Sequence, residues 1–187
     1  LLNESEQKLF RRMAVFQEGF TIAGLEAICY DGSSSSVLDE LESLLDKGLV
    51  QPLSDDERFR LLQTIKEFAH EKLMDAGEEE LVLYRHAKYY RELAKVIANG
   101  VETVDQKKWM TAGPLEEPNI YAALDFLLEK GKGGDTDSIK LGLGLVGEFW
   151  IYWHNRGKHV STLEYTDAFL ALPACPESGI EKCKALT

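Results

Sequence analysis

Residues 47–73 read KGLVQPLSDDERFRLLQTIKEFAHEKL. Two short apolar runs, Leu49-Val50-Gln51-Pro52-Leu53 and Phe59-Arg60-Leu61-Leu62, flank the turn-like Ser54-Asp55-Asp56-Glu57, which is the pattern of a small hairpin. Pro52 has no N–H to give to a ladder, so the first run belongs at a sheet edge. On either side the apolar residues recur at helical spacing. Val37, Leu38, Leu41, Leu44 and Leu45 precede the hairpin, and Ile65, Phe68, Ala69 and Leu73 follow it.

Helix, hairpin, helix is the outline of a winged helix. Working outward, Leu9, Phe10, Met13 and Ala14 form a further stripe. Beyond residue 78 no strand signal remains. Leu83, Ala87, Tyr90, Ala94 and Ile97 step by 4, 3, 4, 3, as do Ile139, Leu143, Val146, Trp150 and Trp153. Two heptads are too short for a free coiled coil, so antiparallel helix pairs with short loops are expected. Helix ends are expected at Gly48, Gly77, Gly100, Gly131 and Gly157. Capping-box spacing marks starts at Asn3 with Glu6, Thr64 with Glu67, Thr103 with Gln106 and Ser161 with Glu164. Gly142, Gly144 and Gly147 each cost a helix about 1 kcal/mol against alanine, which implies either a closely approaching neighbour or a bent stretch. A linker is expected near 76–80, and the most flexible internal loop at 130–137. The fold class is therefore mainly α. A winged-helix-like domain with a short β-hairpin spans 1–77, and a helical array spans 78–187.

Composition narrows the function classes. The chain has 187 residues, 44% of them apolar, with no run near the ~18 residues that would span a bilayer. No secretory leader is visible, and the opening Leu1 suggests a piece of a longer protein. Cys29 sits in an apolar helix pattern. Cys175 and Cys183 lack histidines at zinc-ligand spacing. No metal site and a reducing, cytoplasmic setting are expected. Net charge is -11, and it is concentrated. Residues 1–80 hold 18 acidic and 8 basic side chains. The helix before the hairpin, 36–47, carries Asp39, Glu40, Glu42 and Asp46 against Lys47. A duplex-reading helix meets phosphates with Lys and Arg. This one should repel them and press instead against protein. No direct nucleic-acid contact is expected.

Three segments then carry a resemblance. LLNESEQKLFRRMAVFQEGFTIAGLEAIC (1–29), VLDELESLLDKGLVQP (37–52) and RFRLLQTIKEFAHEKL (58–73) resemble the region after the nucleotide-binding core of the signal-transduction ATPases with numerous domains. That STAND class includes LuxR-type and AfsR-type transcriptional regulators and is similar in plan to NB-ARC ATPases. EEELVLYRHAKYYRELA, EEPNIYAALDFLLEKG and FWIYWHNRGKHVSTLEYTDAFLALP resemble its helical array, the last a tetratricopeptide-type pair. The resemblance covers nearly the whole chain through the order of its motifs, none of which is diagnostic alone. It implies an ATPase domain upstream that binds ATP or ADP, and no cofactor within this segment. It also implies an intramolecular nucleotide-binding partner and an inducer or partner protein on the array. Two departures stand out. Leu61, Leu62 and Gln63 occupy the place of a Met-His-Asp sensor. Ser161, Thr162 and Tyr165 replace the more usual acid, glycine and tryptophan.

Catalytic candidates are few. His70, His86, His154 and His159 lie far apart with no motif joining them to a nucleophile; His70 and His86 read as surface residues. Glu78 to Glu80 and Glu116-Glu117 read as solvated helix starts. The aromatic run 149–154 is the densest feature. Trp150 and Trp153 share the inward stripe, while Phe149 and Tyr152 either pack on the next helix pair or form an exposed patch. Phe149, Tyr152, His159 and Tyr165 are the candidate partner-binding residues. A non-catalytic regulatory fragment is the leading reading. A DNA-binding winged-helix regulator and an enzyme with an unrecognised site are the alternatives.

Overall fold

The computed structural model describes residues 1–30, 32, 36–53 and 58–175. It divides into two compact units, Leu1–His86 and Ala87–Thr187. The chain is mainly α-helical with one small antiparallel sheet. The expected turn acids Asp55, Asp56 and Glu57, and Cys183 near the C-terminus, lie outside the described residues.

In the first unit, α1 (Glu4–Arg12) starts with a full capping box. The Asn3 side chain accepts from the Glu6 N–H at 2.9 Å, and the Asn3 N–H donates to the Glu6 carboxylate at 2.8 Å. A 3-10 turn, Met13–Val15, leads to β1 (Phe20–Thr21), a strand not expected from the sequence. Thr21 then caps α2 (Ile22–Cys29), its hydroxyl accepting from the Gly24 N–H at 3.2 Å. After α3 (Val37–Asp46) the chain reverses at Gly48, whose φ of 69° favours glycine. The hairpin follows as β2 (Val50–Leu53) and β3 (Arg58–Leu61). Sheet order is β1-β3-β2, all antiparallel, with Pro52 on the edge strand as expected. Helix, strand, two helices and two strands with this pairing is winged-helix topology. α4 (Gln63–Asp75) leaves the sheet, and α5 (Glu79–Val101) carries the division between units. The core of the first unit gathers Leu9, Met13, Phe16, Phe20, Leu25, Ile28, Leu44 and Leu73, all at most 3% exposed.

The second unit is built on α6 (Gln106–Lys132), α7 (Thr136–Asn155) and α8 (His159–Leu170). Three residues join α6 to α7 and three join α7 to α8. A Cβ on Gly113 of α6 would come 2.1 Å from the Tyr152 ring, and one on Gly131 would come 2.8 Å from Ile139. The two helices therefore run antiparallel at close range. A Cβ on Gly142 would come 2.2 Å from the fully buried Phe169 of α8, and one on Gly144 would come 2.7 Å from Arg91 of α5. Gly142 and Gly144 thus admit neighbours, as one of the two readings held.

Several local expectations fail for stated reasons. Thr64, Thr103 and Ser161 cap no helix: α4 starts at Gln63, α6 at Gln106 and α8 at His159, without side-chain caps. Asp135, not marked in the sequence, caps α7 by accepting from the Asp137 and Ser138 N–H groups. Gly100 and Gly131 lie inside helices, where Trp109 and Ile139 occupy the space a side chain would need. The 130–137 loop shrinks to Gly133–Asp135, since α6 continues to Lys132. Glu116 and Glu117 are not solvated starts; α6 runs through Pro114 and Pro118, and both carboxylates are 8% exposed. His86 is not a surface residue: it is fully buried, its ring 5.9 Å from that of Phe16.

Candidate interaction surfaces

α3 occupies the position of the helix that enters the groove in a DNA-reading winged helix. Its inner side, Val37, Leu41 and Leu44, is buried. Its outer side presents Asp39, Glu42 and Asp46, all exposed, around Leu38, which is 49% exposed. Spacings of three and four place these residues on one face. Glu40 is buried, so the exposed charge is carried by the other three acids and Lys47.

Several cations of the first unit are buried or paired, while Arg60 on β3 is exposed. Lys47 at the end of α3 reaches the Glu6 carboxylate at 2.7 Å, and Ser43 donates to the same oxygen at 2.6 Å. These bonds, Lys47 first, hold the Glu6 carboxyl well down, at about 2. Arg11 and Arg12 share Glu78 at 2.9–3.1 Å. Burial pushes Glu78 up, but the two guanidiniums outweigh it and hold that carboxyl at about 2. Arg12 also donates to the Cys29 carbonyl at 2.7 Å, and buried Arg58 donates to the Gly19 carbonyl. Lys66 donates to Gln17, and Lys72 to Asp75. Between α1 and α4 lies an open groove of about 480 Å³ lined by Leu2, Phe10, Arg11, Phe68, Lys72 and Ala76. The exposed ring of Phe68 lies beneath the Lys72 ammonium, 5.5 Å away.

The four candidate partner-binding residues do not form one patch. Phe149 and Tyr152 are fully buried, their rings stacked 4.5 Å apart, so the exposed-patch reading fails for both. Trp153 is also fully buried, whereas Trp150, expected inside, is only half-buried. Burial pushes the Tyr152 phenol up, and nearby Glu117 adds to it. Tyr165 is half-buried and donates to Asp125 at 2.8 Å; burial first, and that bond second, raise its phenol. His159 is exposed, beside His154. The elements missed by sequence reasoning are Asn119, fully buried in α6, and the pair formed by Lys158 and Glu117 at 2.5 Å. Cys29 is buried and its thiol is pushed up by desolvation. Among the described residues no three His, Cys, Asp or Glu side chains converge as a metal site. No helix among them is long and apolar enough to cross a membrane.

Comparison with known proteins gives relatives by sequence. The chain is 38% identical over 151 residues to a protein of Mycobacterium tuberculosis (strain ATCC 25618 / H37Rv) named "Putative HTH-type transcriptional regulator". A Mycobacterium bovis protein of the same description matches to the same extent. In each case the match covers 78% of this chain and 16% of the relative, so the chain spans about a sixth of the length of these proteins. A second M. tuberculosis protein is 32% identical over 105 residues, covering 54% of this chain and 27% of its own length. No protein-family model and no solved structure matches the chain. The expectation of no direct nucleic-acid contact runs against the HTH name of the first relatives.

Proposed function

We propose that this chain is a non-catalytic regulatory segment of a larger cytoplasmic transcriptional regulator. In this reading the winged-helix unit docks on a nucleotide-binding domain elsewhere in the protein, of the STAND type. ATP or ADP is held there and not by the residues described above. The second unit begins a tetratricopeptide-like array that receives an inducer or partner protein. Binding on the array shifts the docking equilibrium, which requires different affinities for the two states. The relatives' name supports regulation of transcription, and their length supports further domains. α8 packs on α6 through Tyr121 with Ser161 and Tyr165 with Asp125, and on α7 through Phe169. α6 thereby meets both α7 and α8, the arrangement from which helical arrays grow.

One observation carries the docking role: the exposed acidic face of α3 surrounds an exposed leucine. Charge at the rim steers and selects partners, while an apolar centre supplies contact energy. Reversing it in the full-length protein (Asp39→Lys, Glu42→Lys and Asp46→Lys together) is expected to uncouple a reporter gene from its inducer. The helix content of the segment should stay unchanged. An unaltered induction curve would remove α3 from the mechanism. The second reading, direct duplex binding by the winged-helix unit, is favoured by the HTH name and by the topology.

A further inference from the structure

α7 closes and α8 opens on a histidine. His154 lies in the last turn of α7, and His159 is the first residue of α8. The turn at Arg156-Gly157-Lys158, with Gly157 at φ 70°, folds the helices back on each other. The two imidazole rings end with centroids 4.8 Å apart and planes inclined at 69°. Both side chains are exposed. Neither takes part in a hydrogen bond or ion pair among the described residues.

That separation fits an ordinary edge-to-face ring contact, and it equally fits two donors to one ion. An imidazole nitrogen lies about 1.1 Å from its ring centre, and a bound transition metal stands about 2.0–2.1 Å beyond it. Two such ligands meeting at about 90–110° place their ring centres about 4.5–5.2 Å apart. The observed 4.8 Å falls inside this interval. We propose that His154 and His159 form a two-imidazole chelate for one divalent transition-metal ion at the α7–α8 turn, with water in the remaining positions.

Imidazole donors select the borderline ions, in the order copper above nickel and zinc, and reject magnesium and calcium. The local charge is tolerable for a cation. Lys158, in the same turn, is neutralised by Glu117. Arg156 is exposed and opposes binding, and with only two protein ligands the site is weaker than a three- or four-ligand one. The folded turn presents both rings together and an unfolded chain does not, so a bound ion stabilises the helix pair.

The test uses the full chain carrying Cys175→Ser and Cys183→Ser, so that thiols do not compete. It is titrated with copper, nickel, zinc and magnesium chlorides by calorimetry and by tryptophan fluorescence. The Trp150 ring stands 5.1 Å from His154 and reports copper by quenching. The expected result is one ion per chain in the order above, with no magnesium uptake. His154→Ala and His159→Ala should each weaken binding at least tenfold, and His70→Ala should leave it unchanged. Nickel should raise Tm in the parent and not in either variant at the turn. Binding that survives either substitution, or that occurs only at millimolar concentration as an adventitious ion only, overturns the proposal.

Discussion

Trp153→Ala is expected to destabilise the second unit by about 3–5 kcal/mol, the range for emptying a buried aromatic site. Trp153 is fully buried, stacked on Tyr121 at 5.7 Å and edge-on to Phe149 at 5.0 Å. Its ring ties α6 to α7, and through Tyr121, which also stacks on Tyr165 at 6.0 Å, it supports α8. Trp153→Phe gives the control. The indole N–H is buried with no acceptor in the structure, so a phenyl ring sheds an unmatched donor while keeping most of the packing. It should cost no more than about 1.5 kcal/mol. Urea unfolding followed by far-UV circular dichroism measures both. Equal losses for the two variants would mean that the ring stack does not hold the three helices together.

The second large effect belongs to the first unit. Arg11 and Arg12 both reach Glu78, but they are not equivalent. The Arg12 side chain is 4% exposed and also satisfies the Cys29 carbonyl, while Arg11 is 20% exposed. Arg12→Ala takes this donor from the buried Cys29 carbonyl and leaves Glu78 with Arg11 alone, and should cost about 2–4 kcal/mol. Arg11→Ala should cost about 1 kcal/mol or less, as for a pair near solvent. The same clamp gives a pH dependence. Glu78 and Glu6 ordinarily titrate near 4.5 and are held at about 2 in the folded chain. A depressed carboxylate contributes stability that is complete above its unfolded value and is lost as pH falls toward the folded one. The loss therefore runs from about pH 5 down to about pH 2. Glu78→Gln should flatten this acid limb while lowering stability at neutral pH. Chemical denaturation at pH 7, 5 and 3 gives the comparison, and an unchanged acid limb would show that the clamp is not titrating.

The hairpin was legible because its signals are local. Pro52 fixed the edge, and the stripe Leu9, Phe10, Met13 and Ala14 is wholly buried, whereas Leu38, read into the stripe of α3, is 49% exposed. β1 was not legible, because two residues, Phe20 and Thr21, pair with β3 from a distance of nearly forty positions and carry no period of their own. The capping boxes show the limit of spacing rules. Asn3 works because Glu6 is also drawn in by Lys47 and Ser43, whereas Thr64 lies one residue inside a helix whose start is set by the end of β3. On α7 the error was one of width. A helix held between α6 and α8 is buried on more than one stripe, so Phe149, Tyr152 and Trp153 are all inside. A 4-3-4-3 reading can only choose one line, and it chose Trp150 over its neighbour. The histidine pair was invisible in the same way: four residues lie between His154 and His159, and only the turn between two helices closes that gap.

The charge of α3 was readable from the start, yet its orientation was not, and orientation decides what it can touch. Glu40 faces inward and Asp39, Glu42 and Asp46 face outward, so the helix before the hairpin carries an exposed anionic face. The most direct measurement is fluorescence anisotropy of the full chain with labelled duplex DNA at 50 mM salt or less, where phosphate contacts are strongest. The account predicts no saturable binding up to a protein concentration of about 10⁻⁴ M, the weak end of ordinary non-specific affinity. Binding at about 10⁻⁶ M or tighter, falling steeply as salt is raised, would contradict it and make this winged helix a DNA reader.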